Sequence, residues 1–435
     1  MKTHVKRIMV IGGGAGGLEL ATRLGRTLGK RKKAHIVLID AELTHIWKPL
    51  LHEVAAGTLN SYEDELNYFA HAAKNHFEFR LGRMIGLDRR KKLVKLAALR
   101  DWEGAELAPD REETYDVLVL AVGSTSNDFG TPGASEHCIF LDTRLEAERF
   151  HSRLLSIYLR AHHAASDNQK LNIAIVGAGA TGVELSAELI YATGELARYG
   201  LDDIQPGRVK ISLIEASPRV LPALTERIAQ GALRQLERIG IQVLTNERVV
   251  RITEKDIETA SGKFITADIK VWAAGIKAPD FLSSLDGLET NRLNQLLVTP
   301  ALKVTLDANI FAIGDCCSCI LPGNERAIPP RAQSAHQMAS YVAKVIETDI
   351  KGGRVEKPFV YSDYGSLISL SQETSVGSVM GNLMGTVNLH GFLARMLYVS
   401  LYRLHQLALF GGFKTAVIWF KDQLAKQSRP RMKLH

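Results

Sequence analysis

The sequence predicts an α/β protein made of two similar nucleotide-binding units and a C-terminal extension of different character. Three observations carry this. The turn pattern G-x-G-x-x-G occurs twice, 165 positions apart, as Gly12-Gly13-Gly14-Ala15-Gly16-Gly17 and as Gly177-Ala178-Gly179-Ala180-Thr181-Gly182. Each copy follows a short apolar run, Ile8-Met9-Val10-Ile11 or Ile173-Ala174-Ile175-Val176, and precedes a helix-like stretch. The net charge of +7 is concentrated late in the chain, where Gly391 to His435 holds eight basic residues opposed only by Asp422. With 435 residues and 46% apolar content, there is room for about two to three domains with sizeable cores.

The first unit opens with strand, glycine turn, helix and strand, the second strand being Ile36-Val37-Leu38-Ile39 and ending at Asp40. Lys30-Arg31-Lys32-Lys33, just before it, reads as a solvated loop. Tyr115 to Ala121 is a further strand closed by Gly123-Ser124, and Asn127 to Gly133 is a turn-rich connection. The second unit repeats the plan, with strand Val209 to Ile214, then Glu215, and a closing strand Ile269 to Gly275. Similarity on the scale of a domain argues for duplication. Asn309 to Asp315 is another strand ending in Gly-Asp, and Arg331 to about Thr348 is a helix. These read as the chain returning to complete the first unit. The expected divisions are 1–125, 126–289 and 290–348, with 349–435 as the extension.

A G-x-G-x-x-G turn works through its backbone. The first glycine permits the tight turn, the second lets main chain approach a pyrophosphate, and the third lets helix and strand pack closely. The helix N-terminus then faces the phosphates, and an acid at the end of the next strand holds ribose hydroxyls. Asp40 lies 23 residues past Gly17 and Glu215 lies 33 past Gly182, so each turn has its acid. Both units are therefore expected to be Rossmann-like and to bind a dinucleotide each. A carboxylate at Glu215 repels a 2′-phosphate and favours NADH over NADPH.

Four cysteines do not make a disulfide framework. Cys138 is isolated, and Cys316, Cys317 and Cys319 are read as buried structural thiols, neither a redox pair nor a metal site. The apolar run Ile8 to Ile11 enters the glycine turn at once, so it reads as a buried strand and not as a signal peptide. No stretch reaches the roughly 18 uncharged apolar residues of a membrane span.

The extension carries a surface pattern instead. At about 100° per residue, a helix over Gly391 to Gly412 places Leu393, Leu397, Leu401, Leu404 and Ala408 on one side. Arg395, Tyr398, Tyr402, His405 and Gln406 fall largely opposite, with Arg403 at the edge. Phe413 to Lys421 is again apolar between basic ends and includes Trp419. An apolar face, cations and an interfacial tryptophan are what a helix lying on an anionic lipid surface needs. Nucleic acid is disfavoured, because the basic residues alternate with aliphatics.

Several stretches in combination resemble the flavoproteins with two dinucleotide-binding domains. They are Ile11 to Glu19, Trp47-Lys48-Pro49-Leu50-Leu51-His52-Glu53-Val54-Ala55-Ala56-Gly57, Ala121 to Pro132, Ile175 to Glu188, Val271 to Phe281, Ala312 to Asp315 and Pro329 to Met338. Within that superfamily the chain is similar, over nearly its whole length, to the type II NADH dehydrogenases. These are single-subunit NADH:quinone oxidoreductases, and the enterobacterial-type respiratory form is the nearest in pattern.

The resemblance implies an FAD-binding domain from 1–125 and 290–348, an NADH-binding domain at 126–289, and a membrane-anchoring region at 349–435. It implies Gly12, Gly14, Gly16 and Gly17 at the FAD pyrophosphate, Asp40 at its ribose, and Gly314 and Asp315 at its ribityl chain. Lys48 and Pro49-Leu50-Leu51 would lie beside the isoalloxazine, and Ala332 and Gln333 would be further FAD-binding positions. Gly177, Gly179, Gly182 and Glu215 would hold NADH, with Ala274 and Gly275 leaving room for the nicotinamide. Glu184 would stand where the nicotinamide, flavin and quinone paths meet. Ala332-Gln333-Ser334-Ala335-His336-Gln337 matches the family's A-Q-x-A-x-Q quinone motif, in which Gln333 and Gln337 share a helix face and can bond quinone carbonyls. His336 is a candidate proton relay.

The implied catalytic set is Glu184, Gln333, Gln337 and Lys48, and no metal is implied. The implied reaction passes a hydride from NADH to FAD and then two electrons to a membrane quinone, without proton pumping. Its expected place is the cytoplasmic face of a bacterial inner membrane, held peripherally, and a homodimer is compatible with it. The alternatives are a related quinone reductase such as sulfide:quinone oxidoreductase, or a membrane-bound flavin redox sensor.

Overall fold

The computed structural model describes residues 5–163, 171–199, 208–369, 375–381, 385–390, 402–428 and 432. Two five-stranded parallel sheets organise it. In the first, the strands run in the order Ile310–Ala312, Val117–Leu120, Lys6–Ile11, Ala34–Asp40 and Glu78–Leu81. In the second the order is Ile139–Phe140, Ile269–Trp272, Leu171–Val176, Val209–Ile214 and Gln242–Leu244. The strand that feeds a glycine turn is central in each. Ile8 stands between Val117 and Ile36, and Ile173 stands between Ile211 and Ile269. A central parallel strand is covered on both faces, so it reads as an unbroken apolar run. Ile8, Met9, Val10, Ala174 and Ile175 are fully buried accordingly.

The two halves also match in their smaller sheets. Met84–Asp88, Leu93–Leu96 and Arg111–Thr114 form an antiparallel meander in the first. Val249–Ile252, Asp256–Thr259 and Phe264–Thr266 form its counterpart in the second. Thr125–Ser126 pairs antiparallel with Ile276–Lys277, tying the two connections between halves together. Leu296–Val298 pairs in parallel with Cys317–Cys319, and the helix Ala332–Ile350 comes next.

The extension departs in part from its sequence pattern. A three-stranded antiparallel sheet of Ser366–Ser369, Ser375–Gly381 and Gly385–His390 precedes the helices, and no apolar periodicity announces it. Of the helix expected over Gly391 to Gly412, residues 391–401 lie outside the described residues, and with them Leu393, Arg395, Leu397, Tyr398 and Leu401. The described part runs over 402–410 and stops at Gly411, whose φ of +78° turns the chain into a second helix, Gly412–Ser428. Phe359 and Leu409 are buried in the core of the first sheet. Among the described residues, no helix is long and apolar enough to cross a membrane.

Candidate active site

The two glycine turns have the same construction. Gly12 and Gly177 take φ of +99° and +101°, where a side chain would strain the backbone. A Cβ on Gly17 would lie 1.9 Å from the Gly12 carbonyl oxygen, and one on Gly182 would lie 1.9 Å from that of Gly177. The third glycine of each motif is therefore required by contact within the turn itself. The middle glycines are different. A Cβ on Gly14 or Gly179 would meet nothing within 4 Å, so the space above them is open. Gly14 and Gly179 are also the N-caps of the helices Ala15–Leu24 and Ala180–Arg198. Neither helix has a side-chain cap or an acid in its first turn. Open space above uncapped amides at a positive dipole end fits a pyrophosphate. Gly16 plays another part. It is buried, and a Cβ there would lie 3.2 Å from the Ala335 carbonyl oxygen, so its smallness serves packing against the helix Ala332–Ile350.

The strand-end acids close both turns alike. Asp40 accepts the amides of Gly13 at 2.5 Å and Glu42 at 2.8 Å. Glu215 accepts those of Ala178 and Ser217, both at 2.8 Å. Each carboxylate braces its own turn with one oxygen on each amide, and a carboxylate oxygen retains further acceptor capacity for a ribose hydroxyl. Burial pushes the Asp40 carboxyl above its ordinary range, against the pull of these backbone bonds.

A second cluster gathers on the first unit. Asp315, in the turn Gly314–Cys316, accepts the Ser124 hydroxyl at 2.9 Å. Lys48 donates to the Ser124 carbonyl at 2.9 Å and pairs with Asp142 at 3.2 Å. Burial raises the Asp315 carboxyl, opposed by the Ser124 bond and the Lys48 charge. Lys48, Ser124 and Asp315 thus converge from segments far apart in the chain. Ser124 and Asp142 were not among the candidates from sequence. The Gly123-Ser124 turn was the available signal for the first, and nothing local marks the second.

Glu184 is buried on the helix Ala180–Arg198. His52 Nδ1 lies 3.8 Å from its carboxylate and His52 Nε2 lies 3.9 Å from that of Glu53. Burial lowers His52 to about 4, so it is a neutral imidazole at ordinary pH. Ala274 and Gly275 come directly after the strand Ile269–Trp272 and Ala273. A Cβ on Gly275 would meet the Phe129 ring at 2.3 Å. Phe129 itself is exposed and held at φ +53°, so an aromatic ring covers the turn expected to receive the nicotinamide.

The glutamines of the helix Ala332–Ile350 already have partners. Gln337 donates to the Ser362 carbonyl at 2.8 Å and accepts the Ser362 amide at 3.0 Å. Gln333 donates to Asp363 at 3.2 Å and to the Gly365 carbonyl at 3.0 Å, and accepts the Tyr364 amide. Both side chains bind the backbone of Ser362 to Gly365 as a strand neighbour would. Ala332 opens the helix, and its N-cap Arg331 makes no side-chain cap.

His336 does not point toward either cluster. Its Nδ1 meets Glu19 Oε2 at 2.5 Å, while His405 Nδ1 meets Glu19 Oε1 at 2.6 Å. His405 Nε2 then pairs with His45 Nε2 at 3.0 Å. Burial pushes the Glu19 carboxyl up, but the hydrogen bonds and charges of the two histidines outweigh it and hold the carboxyl below its usual range. Glu19 in turn raises His336. Burial, with the charge of His405 adding to it, lowers His45 to about 3. This four-residue chain joins distant segments, and sequence alone marked only His336 as a candidate for chemistry.

The cysteines are all free. Cys316 and Cys319 stand at C-x-x-C spacing, so the sequence does hold one candidate pair. The structure turns their thiols to different partners, Cys316 to the carbonyls of Leu120 and Ile313 and Cys319 to that of Thr299. Burial raises Cys316 to about 12 and Cys319 to about 11, which removes the thiolate at neutral pH. Among the described residues, no group of three or more His, Cys, Asp or Glu is placed to hold a metal ion.

A family model described as pyridine nucleotide-disulphide oxidoreductase matches residues 6–339. A Haemophilus influenzae protein named type II NADH:quinone oxidoreductase is 42% identical, the match covering 99% of this chain and 100% of that one. A Staphylococcus aureus protein of the same name is 32% identical, with 86% and 90% covered. Among solved structures, NDH2 from Plasmodium falciparum in complex with NADH superposes with a TM-score of 0.83 at 20% identity, covering 99% of this chain and 100% of that one. The sulfide:quinone oxidoreductase from Aquifex aeolicus reaches 0.73 at 18% identity, with 94% and 92% covered. At these identities the two structures speak to the fold alone.

Proposed function

The chain belongs to the pyridine nucleotide-disulphide oxidoreductase family and, within it, to the type II NADH:quinone oxidoreductases, and on that premise we propose how its residues serve NADH:quinone oxidoreduction. The observation that carries the reading is the duplicated turn: two uncapped helix N-termini, two open middle glycines and two strand-end carboxylates, one set per dinucleotide. The first set is assigned to FAD and the second to NADH. Bound FAD supplies a two-electron carrier between NADH and quinone.

The remaining work is placement. Amides at Gly14 to Gly17 and at Gly179 to Gly182 neutralise pyrophosphate charge, and Asp40 and Glu215 orient a ribose each. Asp315, fixed by Ser124, accepts hydroxyls of the ribityl chain. Lys48, held by Ser124 and Asp142, puts a cation at the edge of the ring system, where negative charge is favoured. Ala274 and Gly275 let the nicotinamide approach, with Phe129 as the group that must yield. Neutral His52 beside Glu184 can pass a proton to or from that carboxylate as the quinone is reduced. Gln333 is assigned to a quinone carbonyl by exchange with Gly365, and Gln337 fixes the Ser362 to Gly365 wall.

Peripheral attachment is assigned to the helix Gly412–Ser428, whose Phe413, Val417, Phe420 and Leu424 are exposed. The face is taken to be the cytoplasmic side of a bacterial inner membrane, and the reaction is taken to pump no protons. The divisions 1–125 with 290–348, 126–289 and 349–435 are read as the FAD, NADH and anchoring regions.

The test is direct. Purified, FAD-loaded protein mixed with NADH and a short-chain quinone should consume NADH absorbance at a rate proportional to its flavin content. No flavin-dependent loss would sink the proposal. Thiol alkylation should leave that rate unchanged, whereas a sulfide-type cysteine relay would be abolished by it.

A further inference from the structure

A cleft outside the electron-transfer site lies between the helix Tyr68–Asn75 and the two C-terminal helices, 402–410 and Gly412–Ser428. It encloses about 700 Å³. Its polar wall is cationic, with Arg26 and Lys74 from the first unit and Lys414 and Lys421 from the extension. The acids on this wall, Glu65 and Asp422, are engaged by Arg144 at 2.9 Å and Arg403 at 2.7 Å. Among the described residues, no carboxylate pairs with Lys74, Lys414 or Lys421.

Lys74, from the helix Tyr68–Asn75, and Lys414, from the helix Gly412–Ser428, both line the cleft. The Lys74 ammonium beside Lys414 pulls it below the usual lysine range, and Arg26 adds to the effect. Burial lowers nearby His71 to about 4, with Arg26, Lys74 and Lys414 contributing, so the histidine brings no further charge at ordinary pH. Two neighbouring ammoniums repel, and an anion between them reverses the sign.

Leu409, Phe410 and Ile418 add apolar surface to the lining. Lys414, Ile418 and Lys421 are a stripe at i, i+4 and i+7 turned to the cleft. The adjoining stripe, Phe413, Val417, Phe420 and Leu424, faces solvent, and Phe413 is 84% exposed. A cationic floor that opens beside an exposed apolar helix face matches an amphiphile with an anionic head.

We propose that this cleft is a headgroup site for an anionic phospholipid, with the phosphate between Lys74 and Lys414 and acyl chains along Phe413, Val417 and Phe420. The proposal rests on the peripheral membrane attachment above and sharpens it, because half of the site belongs to the first unit. Lipid binding then clamps the anchor helices to the helix Tyr68–Asn75.

The experiment is cosedimentation of the full-length, FAD-loaded protein with phosphatidylcholine vesicles and with vesicles that also contain phosphatidylglycerol. The wild type should prefer the anionic vesicles. K74Q/K414Q should lose roughly thirtyfold in affinity for them, from two lysines at about one kcal/mol each, and retain its binding to phosphatidylcholine. K74R/K414R should keep the preference, and K30Q/K33Q, in the solvated run far along the chain, should lose little of it. Flavin content of each variant checks folding. Preference retained by K74Q/K414Q, or lost equally by K30Q/K33Q, overturns the site in favour of diffuse charge. Saturable binding of inorganic phosphate that K74Q/K414Q abolishes, with vesicle preference unchanged, makes the ligand a soluble anion and overturns the lipid. Equal binding to both vesicle types sinks the headgroup site alone, and no binding to either sinks the membrane attachment with it.

Discussion

Gly17 and Gly182 show how much can hang on a missing methyl group. Each would place a Cβ 1.9 Å from a backbone carbonyl of its own turn, where neither partner can yield. Gly17→Ala should therefore yield protein purified without flavin. Gly182→Ala should keep its flavin and raise the KM for NADH at least about tenfold, a loss of roughly 1.4 kcal/mol in binding. Flavin absorbance and NADH titration separate the two. Loss of flavin from G182A, or its retention by G17A, would reverse the cofactor assignment of the turns. These residues were legible because the motif is local: strand, turn and helix succeed one another, and the acid arrives one strand later. Ser124, Asp142 and His52 were not legible as site residues. Each acts on a group more than 70 positions away, and no spacing rule connects them.

Among elements, the helix Ala15–Leu24 is the hub. Glu19 on it holds His336 of the helix Ala332–Ile350 and His405 of the helix 402–410. Arg26, just beyond it, donates to the carbonyls of Ala408 and Leu409 at the C-terminal end of the helix 402–410, where its dipole favours a cation. The amphipathic reading of this helix meets the structure only over 402–410, where Leu404 is exposed and His405 and Gln406 are buried. What it missed is that the polar side packs inward, onto Glu19. The shifts set a pH dependence. His336 is raised above 6.5, so its contribution is complete below about that pH and is lost as pH rises through its folded value. Glu19 is lowered below 4.5, so its contribution is complete above about that pH and is lost as pH falls through its folded value. Relative to the wild type, Glu19→Gln should lower the thermal midpoint most at about pH 5 to 6, where the ionised pair contributes about 2 kcal/mol. The gap should narrow toward alkaline pH. A gap constant from acid to alkaline pH would mean that no ionised pair exists there.

At the scale of the whole molecule, the extension belongs to the core up to Leu409, and the anchoring proposed above is assigned to the helix that starts after Gly411. Cutting after Lys351, close to where the anchor was expected to begin, would remove Phe359, His405 and Leu409 from the first core and its buried network. It would also strip the Ser362 to Gly365 backbone from Gln333 and Gln337. Cutting after Gly411 removes the helix Gly412–Ser428 with the Arg403–Asp422 ion pair and the buried Met432, but leaves Phe359, His405 and Leu409 in place. The shorter deletion should keep bound flavin and NADH oxidation with a water-soluble quinone while failing to cosediment with vesicles. The longer one should lose flavin. Cosedimentation of the protein cut after Gly411 would place the anchor elsewhere. The sequence by itself determined the α/β class, the duplication and the two turns with their acids. Those signals are periodic or local, and backbone geometry reads them directly. Only the tertiary structure decided that Gln333 and Gln337 are spent on a neighbouring segment, that Cys316 and Cys319 point apart, and that Glu19 binds a histidine 386 positions away. Such pairings depend on which surfaces meet once the sheets are covered, and no sequence spacing encodes that.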